Sequence, residues 1–254
     1  CAQLDRVIGT ALECFPGARE FTVEAGRPDT LDDEKLRMLR AHGVDRVSLN
    51  PQTMNDETLR RVGRDHTAED IRRMYDEMHG MGFLVINMDL ILGLPGETAE
   101  DVARTLDAIA ELTPENLTVH TLAIKRAAAL RQTGYHADEE EAMRMVELAA
   151  HRAREMGYQP YYLYRQKYMS GSFENVGWCR PGGECWYNVD IMSELCSILS
   201  FGAGGSTKMV EPGTNHIERV FNVKYPKEYT ERPEKTLQNQ AAFAEFYAKY
   251  VPEA

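Results

Sequence analysis

The stretch that decides the fold is Leu84–Leu92, which reads LVINMDLIL and is followed at once by GLPGET at Gly93–Thr98. A continuous apolar run that ends in a glycine and proline turn and leads into a helix is typical of a parallel strand covered on both faces. Side chains alternate along a strand, so Asn87, Asp89 and Ile91 share one face. Because an unpaired buried carboxylate is costly, Asp89 is either a structural residue bonded to nearby backbone or a ligand-facing group inside a sheet or barrel.

Three other short segments resemble this strand and also end beside polar residues. They are Glu20–Glu24, Asp45–Asn50 and Leu117–Leu122. The carboxyl ends of parallel strands meet at one rim, and this rim is where α/β folds bind their ligands. The residues that we expect at the rim are Glu24, Gln52, Asp89, Lys125 and Arg126.

The segments between these strands read as helices with recognisable starts and ends. Thr30, Thr67 and Thr98 each precede an aspartate by three positions, a spacing that predicts a threonine N-cap and a capping-box variant. Glycines near the left-handed position predict the helix ends, and these are Gly43, Gly80 and Gly157. Strands that alternate with helices of about ten to fifteen residues indicate βαβ units, so the predicted fold class is α/β with a parallel sheet.

Composition limits the classes of function and the domain organisation. The 254 residues carry 29 Lys and Arg against 40 Asp and Glu, a net charge of −11, which argues against nucleic acid or an anionic membrane as the main partner. No apolar stretch approaches membrane-spanning length and no signal peptide is visible, so we expect a cytoplasmic protein without membrane insertion. Tyr, Gly and Cys become dense after Gly157. This change predicts repeating β/α units over residues 1–157 and an extension over residues 158–254.

The cysteines do not form a recognisable metal or disulfide pattern. There are five, an odd number, and no two are spaced as C-x-x-C. Reduced thiols are therefore expected, and no residue of this chain is predicted to ligate a metal. The five are Cys1, Cys14, Cys179, Cys185 and Cys196.

Several segments in order resemble one enzyme family. NMDLILGLPG at Asn87–Gly96, Gln52 after the second strand, and GRDHT at Gly63–Thr67 resemble radical S-adenosylmethionine enzymes. More narrowly, they look like the oxygen-independent coproporphyrinogen III oxidase group and its heme-chaperone relatives. YYLYRQK at Tyr161–Lys167 is most similar to the coproporphyrinogen dehydrogenase-like branch. The similarity continues in Glu174–Gly182, Asn188 and Phe201–Gly204.

The resemblance implies a fold and a cofactor site. The fold would be a partial (β/α)6 barrel, similar to an incomplete TIM barrel, with a C-terminal α+β extension and S-adenosylmethionine at the C-terminal rim. Carboxylates suit the hydroxyl groups of a ribose, and a guanidinium suits a carboxylate. The implied cofactor-binding residues are Glu24 and Gln52 at the adenosyl portion, Arg64 at the methionyl carboxylate, Asp89 at the ribose, and Ile91 and Ala123 around the adenine.

The chain departs from this family at the iron–sulfur cluster. The motif C-x-x-x-C-x-x-C, whose thiolates hold a [4Fe-4S] cluster in the family, is absent from the 254 residues. The G-G-G-T-P-T segment that precedes the first helix in the family is absent too. An apolar helical stripe begins almost at Cys1, so we expect the chain to be part of a longer protein that supplies the cluster ligands. The complete protein is predicted to be a radical S-adenosylmethionine oxidoreductase, and these residues alone are predicted to be inactive.

The implied reaction belongs to heme biosynthesis: oxidative decarboxylation of two propionates of coproporphyrinogen III to vinyl groups. The implied partners are this tetrapyrrole and an electron donor or acceptor. A substrate with several carboxylates needs cations, and a tetrapyrrole needs flat surfaces, which Tyr161 and Tyr162 could offer. The assigned substrate-binding residues are Lys125, Arg165, Lys167 and Tyr164. No catalytic residue is assigned.

Two alternatives remain open. One is a heme chaperone without dehydrogenase activity, because that group shares the barrel and the segment around Asn188. The other is a degenerate barrel that binds a tetrapyrrole or S-adenosylmethionine only as a scaffold. His120 lies on a predicted strand near the rim, where it either orients substrate and transfers protons or is an ordinary core histidine.

Overall fold

The computed structural model describes residues 1–123, 135, 138–165 and 173–250. The chain divides into two compact units, Cys1–Cys185 and Trp186–Ala254. The strands of the first unit are β1 (Thr22–Val23), β2 (Arg46–Ser48), β3 (Val85–Leu92), β4 (Asn116–Thr121), β5 (Gln159–Tyr164) and β6 (Asn175–Cys179). Its helices are α1 (Ala2–Cys14), α2 (Asp33–Ala41), α3 (Asp56–Arg61), α4 (Ala68–Gly80), α5 (Ala99–Leu112) and α6 (Glu139–Glu155), with a 3-10 turn at Pro28–Thr30.

The six strands form one sheet in the order β1-β2-β3-β4-β6-β5. Strands β1 to β4 are parallel, whereas β6 runs antiparallel to both β4 and β5. The predicted α/β class and the parallel arrangement of the first four strands are therefore confirmed. Within the described part of the chain the sheet is open rather than closed into a barrel, as a partial barrel requires.

The two faces of β3 differ in burial, as the alternation of its side chains predicts. Met88, Leu90 and Leu92 are buried, while Asn87, Asp89 and Ile91 on the opposite face are only half-buried. The buried face packs against α2, α4, α5 and α6 and carries the main hydrophobic core. Fully buried members of this core include Leu36, Leu39, Ile71, Met78, Ile86, Leu106, Ile109 and Leu117.

Two of the three predicted capping boxes are confirmed, and the third prediction is wrong. Thr67 and Thr98 each accept a hydrogen bond from the backbone three residues later, and the acid at that position bonds back to the threonine backbone. Thr30 instead belongs to the 3-10 turn, where its hydroxyl donates to the Arg27 carbonyl at 2.6 Å. Helix α2 begins later, at Asp33, and Asp32 caps it. A hydroxyl used inside the preceding turn is not free to cap.

The predicted helix ends are correct at two positions and displaced at the third. Gly43 and Gly157 adopt the left-handed conformation, with φ of 78° and 83°. Gly80 stays inside α4, and Gly82 takes the left-handed position instead, with φ of 78°. The helix therefore ends near the predicted position, but the left-handed glycine that follows it is Gly82 and not Gly80.

The second unit combines helices with an antiparallel hairpin, which confirms an α+β extension. Strands β7 (Ser206–Val210) and β8 (Ile217–Phe221) pair, and the helices are α7 (Trp186–Ser193), α8 (Pro226–Glu231) and α9 (Pro233–Tyr250). The Asn239 side chain of α9 donates to the Phe221 carbonyl at 3.1 Å and so joins the last helix to the hairpin. The unit begins at Trp186 rather than at the composition change after Gly157, because β5 and β6 pair with the main sheet.

No helix among the described residues has both the length and the apolar character that a membrane crossing needs.

Candidate functional site

The sheet face opposite the helices carries polar side chains on adjacent strands. The register places Ser48 beside Asn87, Asp89 beside Thr118, and β6 contributes Gly177 opposite Thr118. Since neighbouring residues in register point to the same side, these side chains share one surface. We call this surface the polar face, and its members are Glu24, Arg46, Ser48, Asn87, Asp89, Asn116, Thr118, His120, Tyr162 and Tyr164.

Asp89 is held by a chain of hydrogen bonds at the centre of the polar face. Its Oδ1 accepts from Asn87 Nδ2 at 2.9 Å, and Asn87 Oδ1 accepts from the Thr118 hydroxyl at 3.2 Å. Its Oδ2 lies 3.6 Å from His120 Nε2, and the Asp89 side chain keeps 21% of its surface exposed. An oriented carboxylate that still reaches solvent is suited to accept hydrogen bonds from a ligand.

Glu24 follows β1 and lies close enough to Asp89 and Ser48 on the polar face to interact with both. Its side chain is exposed to solvent, yet desolvation by the surrounding protein raises the pKa of its carboxyl, and the Asp89 charge raises it further. A hydrogen bond from Ser48 and the charges of Arg46 and His120 act in the opposite direction. Two carboxylates held near each other are unfavourable for stability and are typical of a functional site.

Gln52 is fixed beside Asp89 through its backbone. Its N–H donates to the Asp89 carbonyl at 2.9 Å, and its own carbonyl accepts from Ile91 N–H at 2.9 Å. Gln52 has a φ of 68°, a left-handed conformation that is uncommon for residues other than glycine. Such strained positions persist where the surroundings hold them, and they concentrate at ligand sites.

The structure brings four of the six predicted cofactor residues together. Glu24, Gln52, Asp89 and Ile91 meet around the ends of β1 to β3. Ala123 follows β4 at the same edge, since the preceding Leu122 N–H bonds the Leu92 carbonyl at 2.9 Å.

Arg64 is the sixth of the predicted cofactor residues. It lies half-buried in the loop after α3, and none of the described carboxylates is within ion-pair distance of its guanidinium. Among the described residues, no hydrogen bond or ion pair joins Arg64 to the other five. Its role at the methionyl carboxylate therefore remains a prediction from the resemblance.

The predicted substrate residues have different surroundings. The Tyr164 hydroxyl lies 3.2 Å from His120 Nδ1, so it joins the polar face directly. Arg165 is exposed and forms an ion pair with Glu174 at 3.1 Å. Lys125 and Lys167 lie outside the described residues.

Three tyrosines of β5, namely Tyr161, Tyr162 and Tyr164, form an aromatic strip along one edge of the polar face. The rings of Tyr162 and Tyr164 stack at 6.1 Å between centroids with 4° between their planes, and Tyr161 meets Tyr162 edge-on at 4.7 Å. Desolvation raises the pKa of Tyr162, whose hydroxyl also bonds Thr118. The Tyr162 ring lies over Gly177 of β6, where an added Cβ would be only 1.8 Å from Tyr162 Cε1.

Gly177→Ala is therefore expected to displace Tyr162 and to lower the free energy of unfolding by roughly 1–3 kcal/mol, the usual cost of overpacking. Gly80→Ala is the matched control, because Gly80 ends α4 without a positive φ and nothing lies within 4 Å of its added Cβ. Urea unfolding measures both variants. Equal stability of Gly177→Ala and Gly80→Ala would show that the ring does not occupy this position.

Ser48 was not among the site residues predicted from the sequence, and two roles were left open for His120. Both belong to a pattern that the sequence does contain, namely polar residues at every second position of β2 and β4. In β4 these positions are Asn116, Thr118 and His120, which alternate with Leu117 and Val119. Period-two polarity on a strand whose other face is apolar indicates a half-buried strand that presents one polar surface.

Comparison with known proteins places the chain among radical SAM proteins. Residues 6–109 match the model of the Radical SAM superfamily. The chain is 41% identical over 249 residues to the oxygen-independent coproporphyrinogen-III oxidase-like protein HemZ of Bacillus subtilis, a match that covers 96% of this chain and 50% of that protein. It is 28% identical over 246 residues to the heme chaperone HemW of the same organism, covering 92% of this chain and 61% of HemW.

A solved structure shows the same fold. Coproporphyrinogen III oxidase (HemN) from Escherichia coli, described as a radical SAM enzyme, matches with a TM-score of 0.71 at 23% identity, over 92% of this chain and 54% of that chain. The chain spans about half the length of the curated relatives it matches. These matches confirm the resemblance seen in the sequence: the chain contains a radical SAM domain and is similar, along nearly all of its length, to the oxygen-independent coproporphyrinogen III oxidase group.

Proposed function

We propose that this chain is the part of a radical SAM enzyme that binds S-adenosylmethionine, and that the polar face is the binding surface. The observation that carries the proposal is the convergence of Glu24, Asp89 and His120, which come from three different strands or strand ends. Carboxylates at the C-terminal ends of parallel strands are well placed to receive a nucleoside.

The residues present fit this cofactor. Asp89 offers an oriented carboxylate to the two ribose hydroxyls, and Glu24 offers a second acceptor nearby. Asn50, directly after β2, contributes a further acceptor, because its buried Oδ1 has no hydrogen-bond partner among the described residues. The sulfonium and ammonium groups of S-adenosylmethionine are cationic, so an acidic pocket also attracts them electrostatically.

The residues described do not fit an iron–sulfur cluster. They contain no group of three or more His, Cys, Asp or Glu side chains that could hold a metal ion. The cysteine motif of the family is also absent from the sequence. Cys179 is buried, and desolvation raises the pKa of its thiol to about 11, which disfavours the thiolate that metal ligation needs. In the proposed enzyme, a segment outside these residues provides the cluster.

The substrate that we propose is coproporphyrinogen III, whose propionates would be converted to vinyl groups. Bound S-adenosylmethionine supplies the group that removes hydrogen in this chemistry. Two observations support this substrate class: the 41% identity to a coproporphyrinogen-III oxidase-like protein, and the tyrosine strip next to the proposed cofactor pocket. The strip offers flat surfaces to a tetrapyrrole, and an electron acceptor would complete the reaction.

The test uses the full-length protein after anaerobic iron–sulfur reconstitution. We expect S-adenosylmethionine binding and S-adenosylmethionine-dependent loss of carbon dioxide from coproporphyrinogen III. Tight, stoichiometric heme binding without any turnover would instead favour a chaperone like HemW, a relative at 28% identity.

The 254 residues alone are expected to bind S-adenosylmethionine but not to turn over coproporphyrinogen, because they lack the cluster motif. We test this by measuring carbon dioxide release by this chain after the same reconstitution. The full-length protein is the positive control. Turnover by the chain alone would refute our assignment of the cluster to a segment outside it.

A further inference from the structure

The His120 side chain lies between the Asp89 carboxylate and the Tyr164 hydroxyl on the polar face. Its Nε2 lies 3.6 Å from Asp89 Oδ2, and its Nδ1 lies 3.2 Å from the Tyr164 hydroxyl. The His120 side chain is 23% exposed, so it lines the pocket rather than filling the core. Its ring also meets the Tyr164 ring edge-on, at 6.3 Å between centroids.

The two contacts suggest a role for each nitrogen of the His120 imidazole as donor or acceptor. The tautomer with its proton on Nε2 directs that N–H toward the Asp89 carboxylate. In the neutral tautomer Nδ1 is then an acceptor, and the Tyr164 hydroxyl donates to it. Asp89 itself is held from its other oxygen by Asn87 at 2.9 Å. The amide thus bonds one carboxylate oxygen, and the imidazole lies 3.6 Å from the other, within ion-pair distance.

We propose that His120 is a positioning residue for the ribose of the bound cofactor. It holds the Asp89 carboxylate in the orientation that accepts the ribose hydroxyls, and it links that carboxylate to Tyr164 on the substrate side. This inference rests on the proposed function, because it concerns the same pocket. His120 would thus act together with Asp89 in cofactor binding. Through its contact with Tyr164, it would also couple the cofactor site to the tyrosine strip.

The test compares three substitutions by calorimetric titration of S-adenosylmethionine into the chain. His120→Phe keeps the ring but removes both nitrogens, and it is expected to weaken binding about tenfold, equivalent to roughly 1.4 kcal/mol. His120→Gln places an amide near the Nε2 position and should restore most of the affinity. His120→Asn places its amide near the Nδ1 position, which faces Tyr164, and should not restore it.

His151→Phe is the matched control, because His151 also pairs with a carboxylate, Glu155 at 3.5 Å, but lies 71% exposed on α6 away from the strands. The His151→Phe variant should bind S-adenosylmethionine with the affinity of the wild type. Urea unfolding of each variant identifies any loss that arises from misfolding. Rescue by glutamine but not by asparagine separates positioning of Asp89 from a general packing role.

A double-mutant cycle with Asp89→Asn decides whether His120 acts through Asp89. We expect His120→Phe to have little further effect once Asp89 is replaced. Equal losses in both backgrounds, or wild-type affinity in His120→Phe, would overturn the positioning role while leaving the proposed function intact. Absence of S-adenosylmethionine binding by the wild-type chain would overturn the proposed function and the inference together.

Discussion

Asp89→Asn is expected to weaken S-adenosylmethionine binding about tenfold or more, because a charge-assisted hydrogen bond contributes about 1.5–3 kcal/mol. The substitution keeps the shape of the side chain and its contact with Asn87, but it removes the negative charge and one acceptor. The same change should lower the pKa of Glu24 toward its ordinary range, because the Asp89 charge is one of the causes that raise it. Calorimetric titration measures the affinity, and carboxyl NMR shifts measure the pKa.

Asp107→Asn is the control for this experiment. Asp107 lies on α5, its side chain is 57% exposed, and its partner is Arg152 rather than any residue of the polar face. Its replacement should leave the affinity unchanged. If Asp89→Asn and Asp107→Asn bind S-adenosylmethionine equally well, the carboxylate at the centre of the polar face has no part in binding.

Leu90→Ala is expected to lower the free energy of unfolding by about 2–5 kcal/mol, the usual cost of emptying a buried leucine site. Leu90 is adjacent to Asp89 but points to the other side of the sheet, where only 1% of it is exposed. Leu84, just before β3, is 67% exposed, so Leu84→Ala is the control and should change stability by no more than about 0.5 kcal/mol. Urea unfolding compares the two. Similar losses would mean that β3 does not separate a core face from a ligand face.

The alternation of β3 was readable from sequence because two local signals agree there. An apolar run predicts a covered strand, and Asn87 and Asp89 interrupt it at every second position. The capping boxes at Thr67 and Thr98 were equally local, since cap and acid are three residues apart. Thr30 has the same spacing but was misread, because a preceding proline turn already uses its hydroxyl.

Contacts between distant segments could not be predicted in the same way. The pairing of β5 with β6 places Tyr162 over Gly177, and no local sequence pattern connects these two residues. His120 shows the same limit. Its strand was predicted correctly, but its importance follows from Asp89 and Tyr164, which approach it from separate strands.

The acidic character of the chain is consistent with this pocket. The net charge of −11 argues against anionic partners in general, and the polar face concentrates two carboxylates near a histidine and Arg46. A cationic cofactor would be attracted to such a surface. A substrate with several carboxylates would need local cations, and of the assigned cations Arg165 lies at the end of the tyrosine strip.

The most direct test of the central claim is a crystal structure of this chain with S-adenosylmethionine or S-adenosylhomocysteine bound. We expect the ribose oxygens to lie within about 3 Å of the Asp89 carboxylate, the distance of a hydrogen bond, with Glu24 and Gln52 beside the nucleoside. A nucleoside seated among the helices, on the hairpin unit, or anywhere else away from Asp89 would contradict this claim.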